Sequence, residues 1–161
     1  MKKLFLLGIS LFAFTTVTMA QDISKNAIGL RVGDSDGFGT EISYQRALGD
    51  NNRLEVDLGW RSGNNYNGFK LAGLYQWVWQ LEGDFNWYAG AGGGFGSYGH
   101  DYYKDEKDYN ETFALIAGDI GIEYSFDFPL LLSLDFRPEL GFGNINNNLD
   151  LDIALGVRYQ F

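Results

Sequence analysis

The chain has 161 residues, no cysteine and a formal charge of −9. The missing cysteine excludes a disulfide framework and a thiol-linked lipid anchor, and twelve bases against twenty-one acids disfavour nucleic acid, whose phosphates need Lys and Arg to displace counterions. Twenty-two glycines, 17% aromatics, two prolines and no sustained helical periodicity leave one organisation that fits: many short alternating strands between Gly, Asn and Asp turns.

Residues 1–20 read as a cleavable secretory signal. Lys2 and Lys3 form a basic start, an apolar run follows from Leu4 to Phe14, and Thr18, Met19 and Ala20 supply a small-residue cleavage site. The run stops at Thr15 and Thr16, too short for a membrane-spanning helix, which needs roughly 20 apolar residues. Residues 21–161 then form one domain, with ten basic and twenty-one acidic residues.

Eight segments of that domain alternate with period two. The first, over residues 27–33, sets Ile28, Leu30 and Val32 against Gly29 and Arg31. The second sets Phe38, Ile42 and Tyr44 against Glu41, Ser43 and Gln45; the third sets Leu54, Val56, Leu58 and Trp60 against Glu55, Asp57 and Arg61. After a loop at 62–68, the fourth sets Phe69, Leu71, Tyr75, Trp77 and Trp79 against Lys70, Ala72 and Gln76, with Leu74 and Val78 badly placed among the polar positions. The fifth sets Phe85, Trp87, Ala89, Ala91 and Phe95 against Asn86, Tyr88 and a run of glycines.

A polar loop is expected over residues 97–111. The sixth segment sets Ile116, Ile120, Ile122, Tyr124 and Phe126 against Asp119, Gly121 and Glu123, with Phe113 and Leu115 as exceptions. The seventh sets Leu132, Leu134, Phe136, Leu140 and Phe142 against Ser133, Asp135, Arg137 and Glu139. Its Pro138 suggests a local bulge, because a closed barrel has no edge strand on which a missing donor goes unnoticed. The eighth is the most regular: Leu149, Leu151, Ile153, Leu155, Val157, Tyr159 and Phe161 alternate with Asp150, Asp152, Ala154, Gly156, Arg158 and Gln160. Strands of roughly 9 to 11 residues suit a tilted crossing of a bilayer, and the longest loops, after strands three, five and seven, all fall on one side.

Alternation alone leaves the sidedness open, since a soluble lipocalin-like barrel holding an apolar ligand also has eight strands, with its apolar face indoors. The aromatics decide it. Tyr44, Trp77, Trp79, Phe85, Trp87, Tyr124, Phe126, Tyr159 and Phe161 gather near one end, and Phe38, Trp60, Phe69, Phe95 and Phe142 near the other, with aliphatics between. Two belts around an aliphatic band are what two membrane–water interfaces select. The polar face is rich in small residues, as the crowded inside of an eight-stranded barrel requires. The expected fold is therefore all-β: an eight-stranded antiparallel up-and-down transmembrane barrel.

In this pattern, over residues 27–161, the chain resembles the small bacterial outer-membrane barrels of the OmpX, OmpW and OmpA-barrel kind. The resemblance implies location in the outer membrane, contact with outer-membrane lipid and lipopolysaccharide, and insertion by the assembly machinery. That machinery would read the C-terminal strand ending in Tyr159 and Phe161. It also implies roles in envelope integrity, adhesion or narrow-solute passage. No peptidoglycan-binding domain follows the barrel in this sequence, and a monomer is expected.

The same alternation points Arg31, Arg53, Arg61, Lys70, Arg137 and Arg158 into the lumen. Glu41, Glu55, Asp57, Asp119, Glu123, Asp135, Glu139, Asp150 and Asp152 join them. Charges so enclosed must pair or be hydrated. A salt-bridged plug is the favoured reading, and a narrow cation-preferring path the alternative, since acids exceed bases. On the greasy face, Arg46 lies at a strand end, where its head can snorkel to the headgroups.

Chemistry beyond this is thin. The 97–111 loop carries Tyr98, Tyr102, Tyr103 and Tyr109 among mixed charges, a composition that suits a contact surface for an unknown ligand. His100 with Asp101, Asp105, Glu106 and Asp108 makes a poor metal site, and none is expected. Ser97 and His100 stand near each other, but on a loop with no sign of the supporting shell that an activated nucleophile needs. The glycine pattern at 94–99 mimics a dinucleotide fingerprint without the helix it requires. No enzyme activity and no cofactor are expected.

Overall fold

The structure, a computed structural model, describes residues 23–33, 39–63, 66–100, 109–143 and 148–161; of residues 63, 66, 100, 109 and 110 it describes only the backbone. The expected signal at 1–20 and most of the tyrosine-rich loop lie outside the described residues.

Eight strands form one closed sheet: β1 (Asn26–Val32), β2 (Thr40–Ala47), β3 (Asn52–Gly63), β4 (Tyr66–Glu82), β5 (Phe85–His100), β6 (Tyr109–Ser125), β7 (Leu130–Gly143) and β8 (Leu149–Gln160). Each pairs antiparallel with its neighbours in chain order, and β8 returns to β1. Followed sideways from Gly156, the ladder runs through Arg31, Glu41, Gly59, Lys70, Gly96, Phe113 and Gly143. Gly143 lies beyond Leu140, the partner of Leu149, so the walk re-enters β8 near its beginning rather than at Gly156. That offset is the stagger that tilts the strands of a closed barrel.

The seam between the first and last strands is tied at its end by Asn26. Its backbone N–H donates to the Phe161 carbonyl at 3.0 Å, and the Phe161 N–H donates back to the Asn26 carbonyl at 2.9 Å. The Asn26 side-chain oxygen accepts from Tyr44 Oη at 2.8 Å and from Arg46 at 3.1 Å. The exposed Arg46 is thus held at the rim, at the end of the barrel that carries the C-terminus.

Three departures from the sequence reading have physical causes. The strands run from 7 to 17 residues, a wider range than 9 to 11. The outer hairpins zip further than their Gly, Asn and Tyr content suggests: Ser62 pairs with Asn67, and the ladder from Ser97 to His100 pairs with Tyr109 to Thr112. Tyr98 is consequently a strand residue, stacked on Phe113 at 5.5 Å, and not part of a surface loop.

Secondly, Leu74, Val78, Phe113 and Leu115 do not break the alternation. They point inward and are buried. Inward glycines of β5 face three of them: Leu74 pairs with Gly92, Leu115 with Gly94 and Phe113 with Gly96. A Cβ at Gly92 would sit 1.9 Å from the Gly73 carbonyl oxygen, so only glycine allows the wall to curve this tightly there. Thirdly, Pro138 sits in no bulge. The β6–β7 register is the same on both sides, from Ala117–Glu139 to Ile120–Phe136, and the pairing merely lapses opposite Gly118, where the proline ring finds room. The one register shift in the β4–β5 ladder falls between Gln80 and Glu82, beside a tight turn whose Gly83 takes φ 55°.

The buried charges lie on the inward face, and most of the large apolar side chains on the outward one. Large apolar side chains along every strand look outward, including Leu30, Ile42, Ile116, Leu134, Leu151 and Ile153, the last 63% exposed. The inward face carries the charges. A soluble lipocalin-like barrel requires the opposite arrangement, so that alternative is set aside.

A charge placed on the outward face therefore meets hydrocarbon. Leu155→Arg, near the middle of β8, should cost about 2–4 kcal/mol in urea unfolding from lipid vesicles. A near-neutral result would mean that this face sits in water.

Candidate functional site: the charged lumen

The feature with chemical content is the interior. Five bases (Arg31, Arg53, Lys70, Arg137 and Arg158) and eight acids (Glu41, Glu55, Asp57, Asp119, Glu123, Asp135, Glu139 and Asp152) are buried there. Arg61 and Asp150, also expected inside, lie half-buried towards the outer ends of β3 and β8.

The charges fall into two groups. The outer one is centred on Glu41 of β2. Its Oε2 accepts from Arg31 Nη1 at 3.1 Å and from Arg137 Nη2 at 2.6 Å, and its Oε1 lies 3.0 Å from Lys70 Nζ. Each of those cations reaches further acids. Arg31 bonds Asp152 at 2.6 Å and grips Asp135 through both Nε and Nη2. Arg137 bonds Asp57 at 2.7 Å and lies 2.8 Å from Glu139, which Lys70 also contacts at 3.1 Å. Residues from six strands are thereby tied across the barrel.

The second group lies nearer the termini. Arg158 donates to Ser43 at 2.9 Å and Ser133 at 2.7 Å, and pairs with Glu55 at 3.3 Å. Arg53 pairs with Glu123 at 2.7 Å, donates to Gln76 at 2.6 Å, and lies over the Tyr88 ring at 4.7 Å. Gln76 donates to Asp119 and, at 3.3 Å, to Glu55; Gln45 donates to Glu55 and Asn86 to Glu123. The amides give the carboxylates donors beyond those of the cations, and the serine hydroxyls accept from Arg158.

Beside these groups, Leu74, Phe113, Leu115 and Ala117 form a buried apolar cluster against which Tyr98 packs. The inward wall of β4–β6 is therefore apolar in part.

The sequence brought the charged residues to one face but did not single out Ser43, Gln45, Gln76, Asn86, Tyr88 or Ser133 as members of the network. Their signal is the same parity. Of the proposed contact tyrosines, Tyr98 is in the strand, the side chain of Tyr109 is outside the described residues, and so are Tyr102 and Tyr103. The same holds for His100 and the acids near it. Among the described residues, no group of three or more His, Cys, Asp or Glu side chains is placed to hold a metal ion.

Comparison with solved structures agrees with this geometry. The N-terminal β-barrel domain of Pseudomonas aeruginosa OprF superposes with a TM-score of 0.66 at 14% identity, covering 86% of this chain and 98% of that one. Neisserial surface protein A gives 0.61 at 16% identity, over 84% and 94%. The chain has the fold of the small outer-membrane β-barrels. Ail, the attachment invasion locus protein of Yersinia pestis, is a further barrel of this kind, at TM-score 0.57, 13% identity and coverage of 86% and 97%. No family model and no curated protein matches the sequence. At these identities what this barrel shares with its neighbours is its fold.

Glu41 is the member whose removal leaves most behind: three cations lose a common acceptor. Removing one partner of a buried ion pair costs about 3–5 kcal/mol, so Glu41→Ala should destabilise the folded barrel by that order in urea titration followed by tryptophan fluorescence. A loss below about 1 kcal/mol, the level of an exposed pair, would show that water already fills the lumen.

Proposed function

We propose that this protein is a sealed, non-catalytic outer-membrane barrel, monomeric, whose role is structural or lies in contacts made at the cell surface. One observation carries the reading: Glu41 engages Arg31, Lys70 and Arg137 at once inside the lumen. Side chains cross-linked in that way fill a barrel of this width, and an eight-stranded interior is only just large enough for side chains. What remains for contact is the outer end, where β5 and β6 reach His100 and Tyr109 and the chain between carries Tyr102 and Tyr103. The word attachment in the name of the Ail neighbour is in keeping with such a role. Export by the 1–20 signal and insertion through a C-terminal strand ending in Tyr159 and Phe161 complete the proposal, with outer-membrane lipid and lipopolysaccharide as surroundings.

The excess of buried acids over bases favours a second reading, a narrow cation path. Planar-bilayer recordings separate the two. A sealed barrel gives no steady conductance, and deleting residues 104–108 abolishes cell-surface binding while the barrel still folds. A cation-selective current that vanishes in Glu55→Gln/Asp57→Asn would establish the path, and binding untouched by the deletion would refute the contact role.

A further inference from the structure

On the outward face, towards the outer rim, a groove of about 410 Å³ crosses β3, β4 and β5. It is lined by Leu58, Trp60, Asn67, Phe69, Ser97 and Gly99, with Gly68 contributing backbone. Its shape follows from register. Trp60 pairs with Phe69 and Phe69 with Ser97, while Asn67 pairs with Gly99. Two large aromatics on β3 and β4 thus stand beside two small residues on β5, and the step between them is the groove. Phe69 is braced edge-on against Phe95 at 6.3 Å, so this wall is supported from below.

We infer that this groove holds one acyl chain of an outer-leaflet membrane lipid, including the polar linkage at its upper end. Three observations point to that occupant. The groove is continuous with the apolar outward band, so whatever fills it arrives from the bilayer and not from the lumen. Its lining runs from Leu58, nearer the middle of the wall, to Asn67 beside the rim, where Ser62 bonds Asn67 at 2.9 Å. That order matches a lipid's own polarity, tail inward and linkage outward. None of its described lining residues is charged, so the recognised element is uncharged, a chain with its neutral linkage rather than a headgroup ion. The volume lies within the range of sites that hold small molecules. Trp60, 74% exposed without a lipid, is the largest surface the chain would cover.

The inference rests on the membrane reading, and its test keeps the two apart. Trp77, Trp79 and Trp87 lie towards the opposite rim, so Trp77→Phe/Trp79→Phe/Trp87→Phe leaves Trp60 as the one indole reporter. This protein is folded into phosphatidylcholine vesicles, extracted into mild detergent and weighed by native mass spectrometry. The expected result is one retained phosphatidylcholine per barrel, with Trp60 fluorescence quenched when that lipid carries brominated chains. Ser97→Phe, which fills the step, should lose the retained lipid and the quenching that survives extraction. Trp60→Ala, which removes the wall on the exterior, should lose the retained lipid as a second check. A folded, heat-modifiable barrel that keeps no lipid, or keeps a variable number unchanged by both substitutions, overturns the site and leaves the membrane reading intact. Failure to enter vesicles at all overturns both.

Discussion

A charge inside a barrel eight strands wide has little water to turn to, and in a membrane it has none beyond the wall. It must find its counter-charge across the lumen. Everything else in this structure follows from that constraint. Burying Arg31, Lys70 and Arg137 is tolerable only because Glu41 meets all three and Asp57, Asp135, Glu139 and Asp152 pair with them as well. Because those partners sit on different strands, the network also fixes how the strands face one another. The polar interior thereby takes the organising part that an apolar core plays in a soluble protein, while the apolar residues stand outside.

The wall is built to serve that interior. Inward glycines on β5, β6 and β8 are not filler: a Cβ at Gly121 would meet the Tyr88 ring, one at Gly96 the Phe113 ring, and one at Gly156 the Ser133 hydroxyl and the Arg158 guanidinium. Small residues on one strand make space for large ones on the next. The same trade, made on the outward face between Phe69 and Ser97, produces the groove near the rim. The strands are also unequal: β1 and β2 have 7 and 8 residues, whereas β4, β5 and β6 have 16 or 17. The tall side of the barrel carries the apolar inner cluster, the groove and the longest outer hairpin together.

Much of this was legible in the sequence because strand parity is a strict rule. Asp135, Arg137 and Glu139 share a face because their positions on β7 differ by two, and the eighth strand alone displays the pattern complete. Pairing across the lumen was not legible. Arg31 and Asp152 are 121 positions apart, and their contact depends on closure, stagger and tilt, none of which a single strand encodes. Strand ends are hidden where composition and pairing disagree: Tyr98 sits among loop-like residues, yet its ring finds Phe113 and its neighbours find β6. Leu74 and Phe113 looked like errors of alternation because an apolar residue inside a polar lumen makes sense only when the glycine opposite it is seen.

The most direct test of an inside-out barrel held by its own charges is electrophoretic. The envelope-fraction protein is run in SDS unboiled and boiled. A barrel whose ion pairs are shielded by its wall keeps its compact shape in the detergent and migrates differently until heated. An outer-membrane-enriched band with that heat-dependent shift is the predicted result. A soluble periplasmic protein with no shift would contradict the account, because its apolar face would then have to be turned inward and its charges outward.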